Sequence, residues 1–123
     1  MVNLLEPQEI EVFYILPAIR RELTINLKNL GLKQKEIAKL LYVTSAAVSQ
    51  YLNSKRASQV KFTDEIKQEV KNSALKIKQG GFLLEETQYL LNKVRFARIT
   101  CQIHEKLSNI PKNCEVCFQN NNR

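Results

Sequence analysis

QKEIAKLLYVTSAAVSQYL, running from Gln34 to Leu52, decides the fold, because its apolar residues fall on two short helical faces separated by a tight turn. Ile37, Ala38 and Leu41 form the inner face of the first helix, and Ala38 is small where two helix axes approach most closely. Val48, Tyr51 and Leu52 supply the inner face of the second. Thr44 and Ser45 stand just ahead of that second set, where a hydroxyl accepts a hydrogen bond from an unpaired amide of the first turn. The second helix is therefore expected to begin near Ser45. This is the pattern of a helix-turn-helix, a unit whose second helix enters a DNA major groove. The residues left on its outer side, Ser45, Ala46, Ser49, Gln50 and Asn53, are small or amide-bearing, and none is acidic.

Two amphipathic helices joined by a turn also occur in helical proteins that never meet nucleic acid, and charge separates the two cases. From Lys28 to Lys61 the chain holds Lys28, Lys33, Lys35, Lys39, Lys55, Arg56 and Lys61 against the single acid Glu36, a net of +6 from seven bases and one acid. The whole chain of 123 residues has 19 Lys and Arg against 12 Asp and Glu, a net of +7. That balance suits a protein that neutralises phosphates. The length suits one modest core, and a multi-domain enzyme is not expected. The longest apolar run, Val12 to Leu16, is far short of the roughly 20 residues that span a bilayer. The N-terminus lacks a basic region followed by an apolar one. A soluble, cytoplasmic protein is expected, with no membrane partner and no small-molecule substrate.

Outside the central stretch the periodicity is helical throughout. Pro7 suits a first helical turn, with Ile10, Phe13 and Tyr14 on an apolar side, and Pro17 is expected to break this helix at Leu16. Ile19, Leu23, Leu27 and Leu30 then trace a helix that Gly31 caps in the left-handed conformation. Asn53 to Gln59 is polar and basic and reads as a loop near the DNA backbone. Thr63 caps a helix with Asp64 and Glu65 in its first turn and Ile66, Val70, Ala74 and Ile77 on one face, ended by Gly80-Gly81. From Leu83 a further helix carries Leu90, Val94, Ala97, Cys101 and His104 on one stripe. Regular structure fades beyond Leu107.

The fold class that follows is all-α: a helix-turn-helix within a small multi-helix bundle, with a short cysteine-containing C-terminal tail. Residues 1–62 are read as the DNA-binding domain with its N-terminal helix, and 63–123 as a C-terminal helical region whose tail serves metal binding or dimerisation.

With these residues laid out, the chain resembles the lambda-repressor and Cro class of transcriptional regulators (XRE-like), and more narrowly an archaeal branch with a cysteine-containing tail. Leu16-Pro17-Ala18-Ile19-Arg20, Glu36-Ile37-Ala38, Ala46-Ala47-Val48-Ser49-Gln50-Tyr51-Leu52 and Lys55-Arg56 carry the likeness. The resemblance implies that Gln34 donates to a phosphate, that Thr44, Ser45, Ala46 and Gln50 meet base edges, and that Lys55 and Arg56 form the basic pair after the recognition helix. Ser49 joins the base-contacting set by its outer position, and Lys33, Lys35 and Asn53 join the phosphate set. The class usually has Gly in the turn where this chain has Tyr42. Either the tyrosine ring packs and offsets a left-handed strain of about 1 to 2 kcal/mol, or the turn differs.

The chemistry of reading DNA follows from the residue types. Gln50 offers a donor and an acceptor and can bridge the two major-groove groups of adenine, while Ala46 presents a methyl-sized contact to thymine. The lysines add affinity without sequence choice. One recognition helix covers a half-site, so a homodimer on double-stranded DNA is expected. The helix from Leu83 is the candidate dimer surface, on the argument that one short chain cannot bury both Leu90 and Leu91.

Cys101-Gln-Ile-His104, nine residues, then Cys114-Glu-Val-Cys117 gives two ligand pairs of equal spacing. Two such pairs complete a tetrahedral zinc site, and three thiolates with an imidazole can also hold an iron–sulfur cluster. The plainer alternative has Cys101 and His104 lining the helix seam, with Cys114 and Cys117 idle or joined in a disulfide.

A protein-interaction adaptor, with the helix-turn-helix and basic face docked on the transcription machinery or another acidic partner, is the competing function. Salt-sensitive binding to random DNA separates the two. Catalysis is disfavoured, because the chain has a single His, no glycine-rich phosphate loop, and no nucleophile beside a base.

Overall fold

The computed structural model describes residues 5–53 and 60–107, with side chains as far as Glu105. Among the described residues seven α-helices and one π-helical turn follow in order: α1 (Pro7–Ile10), the π turn (Glu11–Ile15), α2 (Leu16–Asn29), α3 (Gln34–Leu41), α4 (Ser45–Asn53), α5 (Asp64–Lys78), α6 (Leu83–Phe96) and α7 (Ile99–Leu107). No strand occurs among the described residues, and the class is all-α. No helix among them is long and apolar enough to cross a membrane.

The π turn corrects the expected break at Leu16, since the helix runs straight through Pro17. A proline inside an α-helix removes one hydrogen bond and drives its ring into the carbonyl four residues back, here that of Phe13. The chain escapes by widening one turn, in which the Leu16 amide donates to the Glu11 carbonyl. The α ladder then restarts with Pro17 in the first turn of α2, where a missing donor costs nothing. The extra residue also rotates the apolar face. Ile15, rather than Phe13, follows Ile10 into the core, and Phe13 is exposed.

The organising element is α2, which packs against α3, α4, α5 and α6. Its Ile19, Leu23 and Leu27 are buried in one cluster with Ile37, Val48, Val70, Ile77, Leu90 and Val94, so a single core spans both halves of the chain. Thr24 is buried as well, and its hydroxyl is satisfied by donating to the Arg20 carbonyl at 2.7 Å. Gly31, at φ +94°, ends α2 with paired bonds from Gly31 N–H to Lys28 and from Leu32 N–H to Leu27. This is the left-handed cap expected of it. Thr63 caps α5 by accepting from the Ile66 amide at 3.2 Å.

The long stripe from Leu83 to His104 is two helices, not one. Ala97 and Arg98 interrupt it, with Arg98 in the left-handed region at φ 60°. Ala97 is exposed, and Cys101 and His104 leave the face that buries Leu90 and Val94. The expectation that Leu90 and Leu91 demand a partner is also overturned. Both are buried within the chain, at 0% and 6% exposure, because α6 is sandwiched by α5 on one side and by α2 and α7 on others.

Candidate nucleic-acid interface

The inner faces of α3 and α4 anchor this region. Ile37 and Val48 are fully buried, Leu41 and Ala38 nearly so, and Tyr51 and Leu52 are half-buried at the edge, with Leu52 packed on the core. Burial of one apolar face of each helix sets their rotation, so the opposite residues are turned to solvent.

Between them lies a turn of three residues, Tyr42 to Thr44. Tyr42 adopts the left-handed conformation at φ 54°, ψ 41°, and Val43 N–H bonds back to the Ala38 carbonyl at 3.0 Å. The turn therefore keeps the glycine-type conformation with a tyrosine in it. Its ring is 84% exposed and offers little packing to offset the strain. Leu41 and Val43, packed on either side, hold the residue there.

Thr44 is the cap of α4: its Oγ1 accepts from the Ala47 amide at 3.0 Å, and the helix begins at Ser45 as the sequence suggests. The cap and the helix dipole place partial positive charge at this end. Thr44, Ser45, Ala46 and Gln50 are exposed together, and α4 carries no acid. Ser49 is half-buried, and its hydroxyl accepts from the Asn53 side-chain amide at 3.3 Å, so these two residues support each other along the helix.

Of the residues expected at phosphates, Lys33, Lys35 and Asn53 are exposed and Gln34 is half-buried. Glu36, the single acid in the sequence from Lys28 to Lys61, is turned to a structural use: its carboxylate accepts from the Lys33 amide at 3.2 Å and closes the first turn of α3. Lys55 and Arg56 lie outside the described residues. Lys39, one of the seven bases around the motif, is exposed and follows Lys35 by four, on the same helix face.

The metal-binding reading is divided. Cys101 and His104 are half-buried on α7, while Cys114 and Cys117 lie outside the described residues. Among the described residues no group of three or more His, Cys, Asp or Glu is arranged to hold an ion. His104 Nε2 is engaged by the Leu5 carbonyl. A carbonyl only accepts, so Nε2 carries the proton and Nδ1 is the ring atom with a lone pair to offer.

Comparisons with protein-family models, with curated proteins and with solved structures find no match to this chain.

Proposed function

We propose that this protein is a sequence-specific DNA-binding regulator of the lambda-repressor and Cro type, which inserts α4 into the major groove as the recognition helix of a helix-turn-helix. The observation that carries the proposal is the outer face of α4. Thr44, Ser45, Ala46 and Gln50 stand exposed and free of acid while Val48 pins the opposite side into the core. In this reading Gln50 and Ala46 choose the bases, and Ser45, Thr44 and Ser49 fill shorter-range positions. Lys33, Gln34, Lys35, Asn53, Lys55 and Arg56 hold the backbone and fix the register.

Counterion release supplies the test. Four of those phosphate-binding residues are cations, and each neutralised phosphate steepens the fall of log affinity with log salt by about 0.9. One protomer should therefore lose about two orders of magnitude between roughly 50 and 200 mM salt. Two protomers on paired half-sites should lose about twice as many. Anisotropy titrations of a labelled random duplex measure this directly, and a salt-independent affinity would reject DNA as the partner.

Two further parts of the proposal rest on the sequence. A homodimer follows from half-site geometry, with its surface elsewhere than Leu90 and Leu91. A zinc ion or iron–sulfur cluster is the group that Cys101, His104, Cys114 and Cys117 would hold, His104 through Nδ1. Bound there, it would supply a fixed cross-link between α7 and the segment that carries Cys114 and Cys117. Metal analysis of protein purified without a histidine tag checks it.

A further inference from the structure

We infer that an apolar groove beside the α3–α4 turn docks an acidic segment of another protein, one that carries large apolar anchors next to a carboxylate. The groove has a volume of about 390 Å³ and runs between α2, the turn and the start of α6. Leu16, Leu23, Leu41, Val43 and Leu83 form its apolar lining, and Arg20 is the one charged residue among those that line it. On its rim Tyr42, Phe82 and Leu84 are 84%, 63% and 59% exposed.

Three large apolar side chains left in solvent around one groove make a patch on the order of a few hundred Å², the size that on a monomer commonly marks a binding surface. Its composition agrees, because aromatic residues and arginine around an apolar floor are the groups that dominate interface energetics. Arg20 decides the sign of the partner. It forms no ion pair among the described residues, whose two ion pairs join Arg21 to Glu22 and Arg95 to Glu11. A guanidinium at the edge of an apolar surface favours a carboxylate.

Other occupants fit less well. A second copy joined by a two-fold would bring the same groove against itself, and its lining supplies no carboxylate for Arg20. A small apolar carboxylate would stay mostly wet, because walls this exposed cannot enclose it as a ligand pocket encloses its ligand. An extended or helical peptide needs only the floor and one wall, with its anchors spaced along the groove. No residue that lines the groove is among those proposed to contact DNA, so the inference does not depend on DNA binding.

Selection of a random 12-residue displayed peptide library on the immobilised full chain, followed by anisotropy titration of the winning synthetic peptide, tests it. Enriched sequences should pair two large apolar residues with an Asp or Glu. Leu84→Asp and Phe82→Ser should each weaken that peptide at least about tenfold. Arg20→Gln should weaken it roughly three- to tenfold and abolish the preference for the acid. Both groove variants alter exposed side chains at the start of α6, and their helical content and Tm should match the parent. Three results overturn the inference: no selected peptide binding tighter than about 100 μM, selected peptides indifferent to Leu84→Asp and Phe82→Ser, or selected peptides without an acid. A peptide-free dimer that Leu84→Asp converts to monomer would assign the groove to a second copy and overturn it too. Titration of each variant on random duplex DNA should give the parent's affinity, which keeps this outcome separate from that of the proposed DNA-binding role.

Discussion

Val48→Ala separates the two faces of α4 most sharply. Val48 is fully buried in the core cluster, on a helix packed against both α2 and α3. The substitution removes two methyl-sized groups, about 1.6 kcal/mol at roughly 0.8 kcal/mol each. A residual cavity adds to this, because neighbours on two helices cannot both close the gap, and a total of about 2–3 kcal/mol is expected. For a chain of 123 residues, an unfolding entropy of about 2.1 cal/mol/K per residue converts that loss into a fall in Tm of about 10 °C. Urea and thermal unfolding followed by circular dichroism at 222 nm read it, with the m-value unchanged. The exposed neighbour Ala46→Ser is the control and should stay within about 0.5 kcal/mol of the parent. A loss under about 1 kcal/mol for Val48→Ala would mean that α4 is not seated by this residue. The orientation of Gln50 and Ser45 would then have no physical basis.

Four other outcomes follow from the same structure. Tyr42→Asn should leave stability unchanged or raise it by up to about 1 kcal/mol, since Asn tolerates the left-handed region and the lost ring is mostly in solvent; a clear loss in thermal unfolding would show that the ring packs. Gly81→Ala should destabilise, because its added Cβ would sit 2.7 Å from the Lys76 carbonyl oxygen at the end of α5, and an unchanged Tm would contradict that close approach. Glu11→Gln should cost about 1 kcal/mol in urea unfolding by weakening the two 3.0 Å bonds from Arg95, a modest figure because Arg95 is partly solvated. The Tyr89 phenol should titrate above its ordinary value of 10.0, chiefly because it donates a hydrogen bond to Glu69 and also because that carboxylate is negative. Its contribution to stability is present below the ordinary value and lost as pH rises through the raised one. Ultraviolet titration of Glu69→Gln should bring the phenol back towards 10.0.

The parts of the fold written in side-chain chemistry were legible in the sequence. Thr44 and Thr63 announce helix starts because a hydroxyl there satisfies an orphan amide, and Gly31 and Gly80 announce ends because they alone accept a positive φ without strain. Sequence pattern and structure part where backbone geometry absorbs a signal or leaves none. Pro17 reads as a break, yet one widened turn accommodates it, and nothing in the residue types of Glu11 to Ile15 reports that. Arg98 turns the chain in the left-handed region without being glycine, so the four-three rhythm of the apolar residues runs across a real helix boundary. The burial of both Leu90 and Leu91 depends on packing against α5, α7 and the more distant α2, which periodicity within α6 cannot see.

The outer face of α4 was legible because burial of Val48 fixes it by helical rotation. Its fine structure was not: the bond between Ser49 and Asn53 requires coordinates. The exposed apolar groove had a faint signature in Phe82-Leu83-Leu84, three consecutive apolar residues of which a helix start can bury only part.

Binding-site selection from randomised duplexes, run in parallel on the parent, Gln50→Ala and Lys35→Ala, tests the proposed recognition role of α4 most directly. The parent should select a defined site. Gln50→Ala should relax preference at an adenine position, by about 1–3 kcal/mol of lost discrimination. Lys35→Ala should keep the same site at uniformly lower affinity. No enriched site for the parent, or the same change from both substitutions, would contradict it.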